Sequence, residues 1–132
     1  MDYLTKPVAY LDTNDFDDNG NIINPMIPKD KPIFIMLQGN FCGYCKMAKP
    51  DFQKFAENTE LFFCATIQAD SKNPNVINLQ PKMDKIYPNL VGFPSYIILY
   101  QDKKIIYSGG RSYNDLKNFE NEFPAYLKSI ST

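Results

Sequence analysis

The sequence predicts one α/β domain whose central mixed β-sheet is flanked by α-helices. Short apolar runs of strand length alternate with segments in which apolar residues recur every three or four positions. Two apolar runs near the carboxyl end are separated by "DKK", which predicts a β-hairpin. Because 44% of the 132 residues are hydrophobic, the chain is able to bury a core of its own.

Residues 1–132 are predicted to form a single domain, with an amino-terminal strand and loop extension at 1–32 and a core at 33–130. The stretch "VAYLDTNDF" (8–16) is typical of a short strand that leads into a polar turn, and "DDNGN" after it is a strong turn signal. Three prolines in "NPMIPKDKP" (24–32) favour loop or extended chain.

Four apolar runs of the core predict strands. "IFIMLQ" (33–38) and "FFCATIQAD" (62–70) are continuous, as expected of buried central strands. "SYIILYQ" (95–101) predicts a third strand, and "IIYSG" (105–109) predicts its hairpin partner. Together these runs provide the strands of the predicted sheet.

Two segments have helical periodicity. The first follows a pair of cysteines and is expected to be kinked by Pro50, and the second closes the chain over 112–130. Residues 71–90 contain three prolines and are predicted to be only partly helical. The apolar positions that define the two helices are Ala48, Phe52, Phe55 and Ala56, and then Leu116, Phe119, Phe123, Tyr126 and Leu127.

The stretch "FCGYCKMAKP" (41–50) has two cysteines where a buried strand ends and a helix begins. Unpaired N–H groups and the dipole at a helix N-terminus favour an anion, so Cys42 is expected to react as a thiolate. Cys45 follows one turn later and is able to close a disulfide with Cys42. In disulfide exchange, Cys42 would form a mixed disulfide that Cys45 resolves. The spacing leaves a structural bridge and half of a metal site as alternatives.

Composition narrows the metal alternatives. A zinc site needs four ligands, commonly Cys and His, whereas this chain has three cysteines and no histidine. We therefore predict no metal within one chain, and a metal-bridged dimer remains the metal hypothesis. "DFDDNG" (15–20) matches the opening of a calcium loop, but Met26 stands where a bidentate Glu is needed, so a turn is predicted. Cys64, in the middle of a strand, is predicted to be a buried apolar residue.

Four stretches together make the chain resemble the thioredoxin superfamily, and most closely a catalytic (a-type) domain of protein disulfide isomerase. They are "FCGYCKMAKP", "QAD" (68–70), "VGFPSY" (91–96) and "IIYSGGRSYNDLKNF" (105–119). The resemblance implies a thioredoxin-like fold and a redox-active disulfide with Cys42 as nucleophile and Cys45 as resolving thiol. It also implies a cis peptide before Pro94 that helps to hold an extended peptide, and an Arg111 that tunes the second cysteine.

The residues beside these positions are the predicted supporting and substrate-binding set: Phe41, Gly43, Tyr44, Phe93, Pro94 and Arg111. Phe41 and Tyr44 are expected to form an apolar docking surface. Phe41 replaces the tryptophan that the family usually has before the first cysteine. Met36 stands where the family usually has a buried Asp or Glu, and a thioether cannot take the proton of the second cysteine. We expect slower turnover, or the use of water or another group.

The predicted function is a thiol–disulfide oxidoreductase that acts on disulfides or dithiols of other proteins without a cofactor. An unknown reductant or oxidant would recycle it, and the lack of histidine favours the reducing side. The alternative is a thioredoxin-like interaction or structural protein with little redox turnover. A Cys42/Cys45 double-Ser variant that keeps its biological role would favour that alternative.

Charge and hydropathy restrict the partners further. The net charge is -1, with acids and bases interspersed, so no nucleic-acid footprint is predicted. No apolar run approaches the roughly 20 residues that span a bilayer, so no membrane association is predicted. Without a secretory or retention signal, we expect a cytoplasmic or otherwise non-secreted protein that is a monomer or weak dimer. Abundant Asn, Lys and Ile are typical of AT-rich coding genomes, cellular or viral.

Overall fold

The computed structural model describes residues 3–130, and its elements follow the predicted order. The strands are β1 (Ala9–Tyr10), β2 (Ile33–Gln38), β3 (Phe63–Gln68), β4 (Ser95–Tyr100) and β5 (Lys103–Tyr107). The helices are α1 (Gly43–Asn58), α2 (Pro74–Ile77), α3 (Met83–Ile86) and α4 (Tyr113–Ile130). Two 3-10 turns lie at Thr13–Asp15 and Gln80–Lys82.

The five strands form one mixed sheet in the order β1-β3-β2-β4-β5. β3 is parallel to β1 and β2, whereas β4 is antiparallel to β2 and to its hairpin partner β5. The parallel pair β2 and β3 is connected through α1, as a parallel connection requires a crossover. The predicted fold class, a mixed sheet with flanking helices, is confirmed.

The two faces of the sheet have different cores, because side chains alternate along each strand. The face covered by α1 and α4, called here the helix face, is rich in aromatic rings. The opposite face, called the loop face, is mainly aliphatic and is covered by the amino-terminal extension and residues 71–90. Helix-face residues include Phe34, Met36, Phe52, Phe55, Phe62, Tyr96, Tyr107, Leu116 and Phe123. Loop-face residues include Leu11, Phe16, Ile35, Leu37, Ile67, Leu79, Ile86 and Ile97.

The segments between the strands refine the sequence predictions. α1 continues through Pro50, and the kink expected there stays a prediction. Residues 71–90 are partly helical, as predicted, because α2 and α3 are each only four residues long. The match to a calcium loop is a turn, in which the Asp17 carboxylate accepts the backbone N–H groups of Asn19 and Asn21 at 2.9 Å each. Within residues 3–130, no helix is long and apolar enough to cross a bilayer.

Candidate active site

Cys42 lies directly before the first residue of α1 and caps that helix. Its Sγ accepts the backbone N–H of Cys45 at 3.2 Å, so the sulfur occupies the position where a helix N-terminus binds an anion. The Cys42 thiol is partly exposed and also donates to the carbonyl oxygen of Phe93 at 3.5 Å. The predicted nucleophile is therefore accessible and touches the loop that precedes β4.

Cys45 lies one turn into α1 and is completely buried. The pKa of its thiol is raised to about 11, chiefly by burial and then by its interactions with Cys42. Because a pKa of about 11 lies far above neutral pH, Cys45 is a protonated thiol when the pair is reduced. The two cysteines thus differ in access, and only Cys42 is able to meet a large substrate.

Lys49 is a component of the site that the sequence analysis missed. It lies one turn beyond Cys45 on the buried face of α1, with 0% of its surface exposed. Its Nζ donates to Asn40 Oδ1 at 2.8 Å, and its positive charge opposes the rise in the pKa of Cys45. The available signal was its spacing of four from Cys45, which places both residues on one helical face. Lys46, by contrast, is exposed.

The loop before Cys42 is held by Asp70 at the end of β3. The Asp70 carboxylate accepts the backbone N–H groups of Asn40 at 2.9 Å and Phe41 at 3.2 Å. Asp70 therefore has a structural role at this strand end. Asp70 thereby fixes the backbone that leads from β2 into the cysteine pair.

Phe93 and Pro94 lie against the cysteines, at the start of β4. The peptide bond between them is cis, the isomer that the resemblance implies. The Phe93 ring packs edge-on against the Phe41 ring, with 5.8 Å between centroids. The carbonyl that accepts the Cys42 thiol thus belongs to the residue whose ring supports Phe41.

The exposed apolar side chains on the two segments that carry Cys42 and Phe93 are called here the apolar rim. Phe41, Tyr44 and Met47 are 66%, 69% and 74% exposed, and Val91 is 98% exposed. Gly43 leaves the space beside Cys42 open, since a Cβ built on it would meet nothing within 4 Å. Exposed apolar side chains clustered in this way are typical of an interaction surface.

Arg111 is exposed in the loop that follows β5. It lines one cleft with Tyr44 and another, of about 220 Å³, with Pro94 and Tyr96. Its charge lowers the pKa of Tyr96, although burial dominates and raises that pKa overall. That Arg111 tunes Cys45 stays a prediction.

Met36 and Cys64 occupy buried positions on the helix face. Met36 is fully buried, so the usual site of a buried acid holds an apolar side chain. Cys64 is buried in β3 as predicted, and burial raises the pKa of its thiol far above the ordinary value. Within residues 3–130, no group of three His, Cys, Asp or Glu side chains is arranged to hold a metal ion.

The sheet order, the cysteine pair at the start of α1 and the cis proline opposite define a thioredoxin-type dithiol domain. No protein-family model matches the chain. It is 41% identical over 133 residues to Putative thioredoxin-like protein 453L of Invertebrate iridescent virus 6, which covers 89% of this chain and 94% of the viral protein. The chain therefore belongs to the thioredoxin-like family, whose members are in general thiol oxidoreductases.

Solved structures agree on the fold. The J-Trx1 fragment of ERdj5 superposes with a TM-score of 0.61 at 19% identity, over 88% of this chain and 51% of that fragment. The first thioredoxin domain of mouse protein disulfide-isomerase A4 superposes with a TM-score of 0.56 at 20% identity, over 89% of this chain and 79% of that domain. Both superpositions confirm a thioredoxin fold.

Proposed function

We propose that this protein is a thiol–disulfide oxidoreductase that exchanges disulfides and dithiols of other proteins through Cys42 and Cys45. The observation that carries the proposal is the partly exposed Cys42 Sγ, which receives the N–H of the fully buried Cys45 at 3.2 Å. An accessible nucleophile with a sheltered second thiol directly behind it suits disulfide exchange, since one sulfur meets the substrate and the other resolves the product.

In the reductive direction, the Cys42 thiolate attacks one sulfur of a substrate disulfide and releases the other as a thiolate. The resulting mixed disulfide leaves Cys42 unable to ionise, so its contribution to the raised pKa of Cys45 disappears. Cys45 then loses its proton and attacks Cys42 Sγ, which releases the second substrate thiolate. The protein disulfide and a substrate dithiol are the products; the two released substrate thiolates take up two protons from water, to which Cys45 has given one.

The apolar rim and the cis peptide support polypeptides as the substrate class. Exposed apolar area is provided by Phe41, Tyr44 and Met47 on the segment that carries Cys42, and by Val91 two residues before Phe93. The backbone at Phe93 and Pro94 faces Cys42, where an extended peptide would run alongside it. A small polar disulfide would leave most of this surface unused.

A glutathione redox titration of the purified protein tests the proposal. At each potential, alkylation followed by mass spectrometry reports Cys42, Cys45 and Cys64 separately. We expect the first two to oxidise together at one midpoint while Cys64 stays a thiol. A pair that never forms a reversible disulfide would overturn the redox function.

Trapping identifies the substrate class. The Cys45→Ser variant should accumulate mixed disulfides with other proteins, because the resolving thiol is absent. The matched Cys42→Ser variant keeps a buried cysteine but lacks the accessible one, so it should trap none. Equal yields from both variants would contradict the assignment of Cys42 as nucleophile.

A second function, an interaction domain with little turnover, is favoured by the fully buried Met36. It predicts that the Cys42→Ser/Cys45→Ser double variant binds the same partner proteins with unchanged affinity, whereas an oxidoreductase loses its covalent complexes. For either function, we propose a cytoplasmic or otherwise non-secreted protein that is a monomer or weak dimer and uses no metal or cofactor. Sedimentation and metal analysis of the purified protein check the last two points.

A further inference from the structure

Tyr96 lies directly across the sheet from Met36. The two residues are register partners in the antiparallel pair β2–β4. Directly opposed residues of an antiparallel pair point to the same face of the sheet, so Tyr96 enters the helix face beside the position usually held by a buried acid. Both residues belong to the helix-face core.

The Tyr96 side chain packs against the same face of α1 that carries Cys45. Its ring lies 5.9 Å from the ring of Phe52, which is two helical turns beyond Cys45. Tyr96 also lines the cleft of about 220 Å³ that contains Pro94 and Arg111. The Tyr96 side chain therefore lies between the face of α1 that carries Cys45 and a cleft that is open to solvent.

The hydroxyl group of Tyr96 has no hydrogen-bond partner among residues 3–130. The residue is only 3% exposed. A buried hydroxyl without a partner opposes folding, so such a group calls for an explanation beyond packing. Phenylalanine would fill this position without that penalty.

The pKa of Tyr96 determines whether its hydroxyl acts as a donor or as a base. Burial raises the pKa of Tyr96 well above its usual value, Arg111 opposes the rise, and the charge of Cys45 adds to it. The phenol is therefore protonated at neutral pH and acts as a donor, not as a base. The charged or titratable groups that face Tyr96 are Arg111, Cys45, Tyr107 and Asp51, and those that face Cys45 are Cys42 and Lys49.

We propose that the Tyr96 hydroxyl donates a hydrogen bond to the thiolate of Cys45 while that sulfur resolves the mixed disulfide. The proposal rests on the proposed function and assigns to Tyr96 the stabilisation of the resolving thiol in a chain that has Met36 in place of an acid. Cys45 gives up its proton to water. The Cys45 sulfur then bonds to Cys42, and the substrate sulfur leaves with the electron pair and takes up a proton from water.

Reaction of the reduced protein with dithiobis-nitrobenzoate separates the two thiols in one experiment. Cys42 attacks the probe and releases the first coloured thiolate, and Cys45 releases the second by resolving the mixed disulfide. The first phase tests the proposed function, and the second tests Tyr96. In Tyr96→Phe, we expect the first phase unchanged and the second about tenfold slower at neutral pH, which is the size of a charge-assisted hydrogen bond. The midpoint of its pH profile should rise by about one unit.

Tyr107→Phe is the matched control. Its ring packs against that of Tyr96, with 5.8 Å between centroids, but its hydroxyl already donates to the carbonyl of Gly110. Loss of that hydroxyl should leave both phases and the pH midpoint unchanged. A ring-fluorinated tyrosine at position 96 is the second test, because it keeps the ring and makes the hydroxyl a stronger donor. It should speed the second phase.

Three results would each overturn the proposal. The first is a second phase in Tyr96→Phe that has the wild-type rate and pH midpoint. The second is a Tyr107→Phe variant whose second phase is slowed by the same factor as in Tyr96→Phe. The third is a fluorinated tyrosine at position 96 that leaves the rate of the second phase unchanged. Loss of the first phase in the wild-type protein would instead refute the redox function itself. Urea unfolding of Tyr96→Phe checks the fold, and we expect no loss of stability because the hydroxyl has no partner within residues 3–130.

Discussion

The two faces of the sheet differ in how tightly they are built. On the helix face, the Phe34 ring contacts rings of α1, β4, β5 and α4 and the ring of the residue that precedes β3. These are Phe52, Phe55, Phe62, Tyr96, Tyr107 and Phe119, at centroid separations of 5.1–6.0 Å. The loop face is mainly aliphatic, is covered by four-residue helices and contains a cavity of about 170 Å³ lined by Leu37, Leu79 and Phe93.

This difference matches a division of labour in the proposed function. Cys45 and Lys49 lie on α1, which packs on the aromatic helix face, so close packing there holds the thiols in position. Phe93 belongs to the loop face, where shorter elements and a cavity permit adjustment to different polypeptides. In the proposed function, the reactive thiols thus lie on the aromatic face, and we expect substrate contacts to extend over the face that contains the cavity.

The largest expected effect comes from Phe34→Ala. The side chain is completely buried among aromatic rings, so its loss removes both transfer free energy and ring contacts. We expect the free energy of unfolding to fall by about 3–5 kcal/mol, measured by urea denaturation. A loss below about 1 kcal/mol would show that the helix face rearranges around the missing ring, and that it is not more closely packed than the loop face.

Leu79→Ala makes the corresponding change on the loop face. Leu79 is 1% exposed but borders the existing cavity, so fewer contacts are lost on truncation. We expect a loss of about 2 kcal/mol, at the low end for Leu→Ala, in the same denaturation assay. A loss as large as that of Phe34→Ala would mean that both faces are equally well packed.

Gly20→Ala should have a smaller effect on the cover of the loop face. Gly20 has φ of +78°, and a Cβ there would lie 2.7 Å from the carbonyl carbon of Lys85 in α3. We expect a loss of about 1–2 kcal/mol from the left-handed backbone alone. Gly43→Ala is the control, because a Cβ at Gly43 meets nothing within 4 Å and alanine favours a helix. If Gly20→Ala and Gly43→Ala lowered the free energy of unfolding equally, the left-handed backbone at Gly20 would not be the cause.

Sequence patterns predicted the elements whose bounds depend on residues close together in the chain. β2 begins and ends at the predicted residues, because a continuous apolar run is typical of a central strand. β1 is only two residues long, and the polar residues after it form a turn, as predicted. The strand ends because the Asp12 carboxylate accepts the N–H of Asn14 at 2.8 Å and caps the 3-10 turn.

The site was predictable only as far as its chemistry is contained in short motifs. Cys42, Cys45 and Pro94 could be found in this way. Lys49 and Tyr96 could not, because their importance depends on which side chains the sheet and α1 bring together. Met36 showed from the sequence that the usual acid is missing, but only the register of β2 and β4 places Tyr96 opposite it.

The smallest predicted effect concerns the edge of the substrate surface. Val91 is 98% exposed, so Val91→Ser should change the free energy of unfolding by less than about 0.5 kcal/mol. If a protein substrate covers part of this side chain, its KM should rise about threefold, as expected for partial burial of a valine. The rate with dithiobis-nitrobenzoate should stay unchanged, because that probe is too small to span the apolar rim.

Met26→Ser provides the control for this last comparison. Met26 is 85% exposed in the amino-terminal extension and lines neither the cysteine pair nor its clefts, so its replacement should alter neither KM nor the probe reaction. If both variants raise KM equally, the effect is general surface hydrophobicity and not a local docking contact. If only Val91→Ser raises it, the substrate extends from Cys42 to the loop that precedes β4.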